Sequence, residues 1–78
     1  MHHKTSAAGW VVSVTTQKRD SSSSVQLYDA AIPCEIGAVQ AVTSVARAGP
    51  NALIQVLEAL SSSELVGLEM KPGEARLQ

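Results

Sequence analysis

The sequence has very little of what usually stabilises a very small domain. Cys34 is the only cysteine among 78 residues, so no disulfide can form within the chain. The only histidines are His2 and His3, and no residues have the spacing of a zinc site. Trp10 and Tyr28 are the only aromatic residues. We therefore predict no metal and no cofactor, and oligomerisation remains the way for so short a chain to gain stability.

Charge is also scarce. Lysine and arginine number six and aspartate and glutamate seven, which gives a net charge of −1. The basic residues are scattered, which argues against a nucleic-acid partner. No apolar run approaches the ~18 residues of a membrane span, and the N-terminal MHHKTSAAG lacks the apolar core of a signal peptide. We predict no membrane partner and a cytoplasmic location, where a lone thiol stays reduced.

The first half of the chain predicts a β-hairpin. We expect a flexible N-terminus at 1–8 and a single domain at 9–78. The run GWVVSVTTQ at 9–17 is rich in β-branched residues and predicts a strand, and VQLYDAAI at 25–32 predicts a second. The polar loop between them is too long for a tight two-residue turn, so turn chemistry does not fix the pairing register.

Two helices are predicted after the hairpin. The first covers 34–48, and we expect Gly49 to supply the left-handed residue that ends it. The second covers 51–61 and begins at Pro50 or Asn51. Four of its apolar residues fall within about 100° of a helical wheel, namely Leu53, Val56, Leu57 and Leu60.

The C-terminal residues predict a third strand. The segment ELVGLEM at 64–70 alternates in hydrophobicity, although SSSEL could instead extend the second helix. The serines at 61–63 are either a break or the N-cap of a short turn that contains Glu64. Pro72-Gly73 predicts a turn, after which EARLQ either pairs as a short strand or hangs free. The predicted fold class is α+β. It has a small single-layer antiparallel sheet, made of the hairpin and a third strand, covered on one face by two helices in the order β-β-α-α-β.

The first predicted helix is apolar around roughly 220° of its circumference. A helix with so wide an apolar surface is normally buried on two sides, which one small sheet and one other helix cannot provide. We predict that the second side forms an oligomer interface, most simply of a dimer, built from Ala38, Val39, Ala41, Val42 and Val45. The alternative is a monomer whose alanines are merely good helix formers, but three valines add nothing to helix propensity.

Few side chains are candidates for chemistry. Cys34 is a weak candidate for a catalytic residue, because a thiol at a helix start lies at the positive end of the macrodipole. Glu35 beside it weighs against this, and a free cysteine is most often a small buried hydrophobe. For Asp29 we favour a strand-end carboxylate that faces water or accepts backbone N–H groups, and the alternative is that it faces inward with Val25 and Leu27. Trp10 and Tyr28 are candidate ligand-binding residues: we expect Trp10 to fill the core and Tyr28, possibly on the opposite face, to contact a partner or pocket rim.

No motif in the sequence is specific to an activity. The predicted function is a non-catalytic homo-oligomeric interaction or structural protein. One alternative is a small-molecule binding module with a pocket at the subunit interface, rimmed by Tyr28. A third possibility is a thiol-dependent enzyme that uses Cys34.

Overall fold

The computed structural model describes residues 7–78, so six residues of the predicted flexible N-terminus lie outside the described part. The elements within it are β1 (Gly9–Gln17), β2 (Ser23–Ala30), α1 (Glu35–Ala46), β3 (Leu53–Leu60), α2 (Ser62–Gly67) and β4 (Ala75–Leu77). The strands pair antiparallel in the spatial order β3-β1-β2-β4. An α+β domain with an antiparallel sheet is therefore confirmed, whereas the predicted order β-β-α-α-β is wrong.

β1 and β2 form the predicted hairpin, paired from Trp10 opposite Ala30 to Gln17 opposite Ser23. The connecting loop is organised by Asp20 and Ser22. The Asp20 carboxylate accepts hydrogen bonds from the Ser22 hydroxyl at 2.6 Å and from the Ser22 N–H at 3.1 Å. These two bonds favour the ionised form and hold the pKa of Asp20 below its usual range.

The predicted second helix at 51–61 is wrong, because the chain turns there and then extends. The Ala52 N–H donates to the Gly49 carbonyl at 3.1 Å. Pro50 therefore takes the second position of a β-turn, which its fixed φ suits as well as it suits the start of a helix. β3 follows directly and pairs with β1.

The side chains of β3 show why a helical wheel does not describe this segment. Ile54 and Val56 are half-buried towards the core, whereas Leu53 and Leu57 are 55% and 52% exposed. The residues that face the core are thus two apart, which is the period of a strand. Leu53 and Leu57 are four residues apart, a spacing that would place them on one side of a helix, but in β3 both are exposed.

The predicted third strand at 64–70 is also wrong, because α2 occupies Ser62–Gly67. The Ser61 hydroxyl accepts the Glu64 N–H at 3.1 Å, and the Glu64 carboxylate accepts the Ser61 N–H at 2.9 Å. This reciprocal pair is a capping box, and it begins a separate short helix at Ser61. The alternative in which SSSEL is helical is therefore right about the conformation, although this helix does not extend an earlier one.

The predicted turn at Pro72-Gly73 is confirmed. Gly73 has φ 85°, and the Glu74 N–H donates to the Lys71 carbonyl at 3.0 Å. This is a turn with glycine at its third position, where a positive φ is required. The residues after it pair with β2 as β4, which settles the open choice for the tail in favour of a short strand.

α1 ends earlier than predicted and at a different residue. Its left-handed terminal residue is Arg47, with φ 53°, and not Gly49. The Arg47 N–H donates to the Ser44 carbonyl, and the Ala48 N–H to the Thr43 carbonyl. The helix is thus closed by a residue for which this conformation is unfavourable.

Replacing Arg47 by glycine is expected to raise the free energy of unfolding by about 0.5–1 kcal/mol, because glycine adopts a positive φ without steric cost. Urea denaturation measures the change. Ser44→Gly is the matched control within the helix, and it is expected to lower stability by about 0.5–1 kcal/mol. A destabilising effect of both changes would contradict the strain assigned to Arg47.

The sheet buries apolar side chains on both faces. On one face, here called the α1 face, the strands contribute Val12, Val14, Tyr28 and Ala30, which pack with Ala38 and Val42 of α1. On the other, the α2 face, Val11, Ala31 and Leu60 pack with Leu65 of α2 and with Met70. Val11 and Val12 are neighbours in β1 and therefore point to opposite faces. The two helices lie on opposite sides, so the predicted packing of both on one face is wrong.

Candidate functional site

The α1 residues predicted to form an oligomer interface differ in their exposure to solvent. Ala38 and Val42 are completely buried against the protein's own sheet. They cannot contact a second chain, so their inclusion in the predicted interface is wrong. Val39 and Ala41 are half-buried, and Val45 is exposed. α1 therefore buries one apolar side within its own chain and leaves part of another uncovered.

The open side of α1 adjoins the edge of the sheet. Ile36, Val39 and Gln40 line a shallow groove of about 260 Å³ together with Val56 of β3. Ile36 is 71% exposed, which is unusual for so large an apolar side chain. The sequence alone does not indicate this role of Ile36 and Val56, because the groove depends on β3 being a strand.

β3 is a long apolar strand at that edge. It has eight residues, contains no lysine, arginine or proline, and carries Glu58 as its single charge. Within residues 7–78 it pairs with β1 alone. The outward N–H and C=O groups of an edge strand have no partner in their own sheet, and proteins usually shield such strands with charges, prolines or a covering segment.

The two edges of the sheet differ in how well they are shielded. β4, at the opposite edge, has only three residues and includes Arg76. β3 has one protective irregularity, a bulge. Val11 lies opposite Glu58 and Val12 opposite Val56, which leaves Leu57 as the extra residue. The regular, unshielded part of β3 therefore begins at Leu53 and lies beside the α1 groove.

A ligand or partner at the surface cannot contact both Trp10 and Tyr28, because Tyr28 is buried. Tyr28 lies opposite Val12 of β1. Because Val12 is two residues from Trp10 in the same strand, both aromatic side chains are on the α1 face. Tyr28 is buried, and its hydroxyl donates to Gln26 Oε1 at 3.4 Å. Its predicted place on a pocket rim is wrong, because α1 covers it. Trp10 is half-buried, and its Nε1 donates to the Pro33 carbonyl at 2.9 Å.

Cys34 is the N-cap residue of α1 and is exposed, so it is not the buried hydrophobe that a free cysteine most often is. Its side chain makes no capping hydrogen bond. Both histidines of the chain lie outside the described residues. The catalytic role of Cys34 stays a prediction, and the structure adds no contact that strengthens it.

A cleft of about 630 Å³ opens on the α2 face. Its floor is a row of directly paired residues that crosses the sheet from β4 to β3, in the order Arg76, Asp29, Val11 and Glu58. The apolar side chains of Leu60 and Leu68 also line the cleft. The rest of the lining comes from Glu64, Leu77 and Gln78.

Asp29 differs from its prediction. It is only 5% exposed, and Oδ1 accepts a hydrogen bond from the side chain of Gln78 at 2.8 Å. Asp29 is therefore largely shielded from water, and no backbone N–H within residues 7–78 donates to its carboxylate. An inward-facing Asp29 is the alternative that the sequence leaves open, but the partners that bury it, β4 and Gln78, are seen only in the structure.

No protein-family model, curated protein or solved structure matches this chain. Within residues 7–78, no three His, Cys, Asp or Glu side chains are grouped so as to hold a metal ion. No helix in the same part of the chain is long and apolar enough to cross a membrane. The function is therefore argued from the surfaces described above.

Proposed function

We propose that this protein is a non-catalytic interaction domain that self-associates, most simply as a homodimer, and that β3 is its contact strand. The observation that carries the proposal is the eight-residue apolar edge of β3, which lies beside the open groove of α1. Antiparallel pairing of β3 with the same strand of a second copy gives the outward backbone groups partners. We also propose a cytoplasmic location, since Cys34 is a lone, exposed thiol.

A two-fold axis perpendicular to the sheet relates the two copies in this arrangement. Rotation about such an axis does not exchange the faces of the sheet, so both α1 helices lie on the same side of the joined sheet. Val56 lines the α1 groove and belongs to the contact strand. The groove of one copy therefore comes alongside the groove of the other. Ile36 and Val39 lose solvent contact, which covers the apolar surface that a single chain leaves open.

Leu53→Lys tests the proposal. The Leu53 side chain is more than half exposed, so lysine is compatible with the fold, while a lysine on an edge strand opposes strand pairing. In sedimentation velocity at micromolar concentration, we expect a dimer for the wild type and a dissociation constant raised about tenfold or more for the variant.

Leu77→Lys is the matched control, because Leu77 is 51% exposed and lies on β4 at the opposite edge. It is expected to leave the dissociation constant unchanged. A wild-type protein that sediments as a monomer at micromolar concentration contradicts the proposal. An equal effect of the two lysine variants also contradicts it, because the contact would then not be at β3.

The alternative of a small-molecule pocket at the subunit interface is weakened, because its expected rim residue Tyr28 is buried within the chain. We do not propose it as a second function. The thiol-dependent enzyme stays a prediction that rests on the position of Cys34 alone.

A further inference from the structure

Self-association through β3 pairs a strand with itself, which restricts how the two copies can be aligned. Directly opposed residues of an antiparallel pair point to the same face of the sheet, whereas neighbours within one strand point to opposite faces. A two-fold axis perpendicular to the sheet does not exchange the faces. Two opposed residues are therefore always an even number apart in the sequence. It follows that the axis passes through one residue of β3 and never between two.

β3 leaves few residues for this central position. The strand is regular only between the turn that precedes it and the bulge at Leu57. That stretch covers 53–56. A contact centred on either end of it would pair the second copy with the turn or with the bulge. The residues at its middle, Ile54 and Gln55, are thus the two centres that use regular strand.

The side chains of β3 distinguish between these two centres. With Ile54 on the axis, Leu53 lies opposite the polar Gln55 of the second copy, and by symmetry it does so twice. With Gln55 on the axis, Ile54 lies opposite Val56 of the second copy. The same alignment brings Leu53 beside Leu57 of the second copy. Apolar and β-branched cross-strand pairs stabilise a sheet, so the alignment centred on Gln55 is favoured.

The surroundings of these residues support the same alignment. Ile54 and Val56 lie opposite buried valines of β1 and are half-buried on the α1 face. Val56 also lines the α1 groove, so its pairing with Ile54 of the second copy joins the two grooves across the axis. Leu53 and Leu57 are both more than half exposed in the single chain. Bringing them together removes apolar surface from water.

Gln55 is the uncharged polar residue of β3, and its side chain is exposed in the single chain. On the axis, the Gln55 amides of the two copies meet, and each N–H group finds the Oε1 of the other as acceptor. Off the axis, each amide faces Leu53 and loses water without gaining a partner, which is costly. A single polar residue that is satisfied in one alignment alone fixes that alignment, as a buried asparagine does in coiled coils.

We propose that two β3 strands pair with Gln55 on the two-fold axis, and that Gln55 sets the register of the dimer. This register rests on the self-association of β3 proposed as the function. It adds a specific pairing of residues and a specificity-determining side chain, both of which can fail while self-association stands.

Disulfide formation between single cysteines reports which residues face each other. It requires Cα atoms within about 7 Å, and opposed residues of an antiparallel pair are about 4.5–5.5 Å apart. Cys34→Ser removes the exposed native cysteine and serves as the background. In it, Gln55→Cys is expected to form a covalent dimer about tenfold faster or more than Leu53→Cys, because opposed thiols have a high effective concentration. Copper–phenanthroline oxidation followed by non-reducing gel electrophoresis measures both rates.

Leu53→Cys is the matched control. Leu53 is exposed, and it lies two residues from Gln55 on the same face of the sheet. With Gln55 on the axis, the two copies of Leu53 are roughly 14 Å apart, which is too far for a disulfide. A mixture of Leu53→Cys with Leu57→Cys tests the same alignment with Gln55 intact, and it is expected to cross-link faster than either variant alone.

Sedimentation velocity of the wild type keeps the two proposals apart. If the protein is a dimer but Leu53→Cys or Ile54→Cys cross-links as fast as Gln55→Cys, the register is overturned while self-association stands. A mixture of Leu53→Cys with Leu57→Cys that shows no gain in rate also overturns the register. A monomeric wild type overturns both proposals.

The role of Gln55 in setting the register has a test of its own. Ile54→Cys is expected to cross-link slowly, because Ile54 is off the axis. Adding Gln55→Leu should raise this rate severalfold, since a leucine at this position is compatible with the alignment centred on Ile54. Gln55→Asn keeps an amide and should leave the rate low. An equal rate in the presence of leucine and of asparagine would overturn the assigned role of Gln55.

Discussion

Replacing Val12 by alanine is expected to lower the free energy of unfolding by about 2–3 kcal/mol. Val12 is completely buried in β1, the strand that pairs with both β2 and β3. Each buried methylene-sized group removed costs about 0.8 kcal/mol in transfer free energy, and the cavity left in the core adds to that. A domain of this length has roughly 4–12 kcal/mol of stability in all, so the variant loses a large share of it.

Val25→Ala is the matched control for this change. Val25 is also a strand valine, in the adjacent β2, but it is 60% exposed. Its replacement is expected to change stability by no more than about 0.5 kcal/mol. Urea unfolding followed by the fluorescence of Trp10 measures both variants. A similar small loss in the two would show that Val12 is not in a packed core.

Gly9→Ala is expected to destabilise the protein by about 1–3 kcal/mol, as overpacking of a tight site does. A Cβ at Gly9 would lie well inside 3.0 Å of the Ala30 carbonyl oxygen, and at 3.3 Å from the Ala31 Cα. Both neighbours are backbone atoms of the segment that ends β2, so neither can rotate away as a side chain could. The strands must move apart at this point, which weakens their pairing.

Gly67→Ala serves as the control, because it adds the same methyl group in open space. No atom lies within 4 Å of a Cβ at Gly67, which is the last residue of α2. Alanine is favoured over glycine in a helix, so this variant is expected to gain up to about 0.5–1 kcal/mol. Thermal unfolding should therefore show shifts of opposite sign. A loss of stability in both variants would contradict the tight approach assigned to Gly9.

The hairpin and α1 could be predicted from sequence because their signals are local. The β-branched run that begins at Gly9 favours a strand whatever surrounds it, and the proline that precedes Cys34 separates the hairpin from the helix. The end of α1 could not be placed as well. Gly49 has the residue type that usually adopts a left-handed conformation, but Arg47 adopts it two residues earlier.

β3 and α2 were assigned to each other's conformation for a physical reason. The apolar residues of β3 have spacings that suit either a helix or a strand, and only pairing with β1 decides between them. For α2 the sequence did contain a signal. Ser61 followed three residues later by Glu64 is the pattern of a capping box, which outweighs the alternation of the residues after it.

The candidate sites were beyond sequence analysis because each depends on strand order and register. The groove beside Val56 exists only because β3 is an edge strand. The row that contains Asp29 and Glu58 requires β1 between them, and it requires the bulge at Leu57 to bring Glu58 opposite Val11. The wide apolar surface of α1 could be recognised from sequence, but not which of its residues the sheet covers.

The adjacent valines of β1 have one more consequence. Val11 belongs to the cluster beneath α2 and Val12 to the cluster beneath α1, so a single extended segment holds both cores together. The contributions of β1 to the two clusters cannot be lost separately, because an opening of the chain that frees Val11 from the sheet also frees Val12. The melting of this small protein should therefore be a single cooperative event, with partial opening confined to the short segments that follow Leu60.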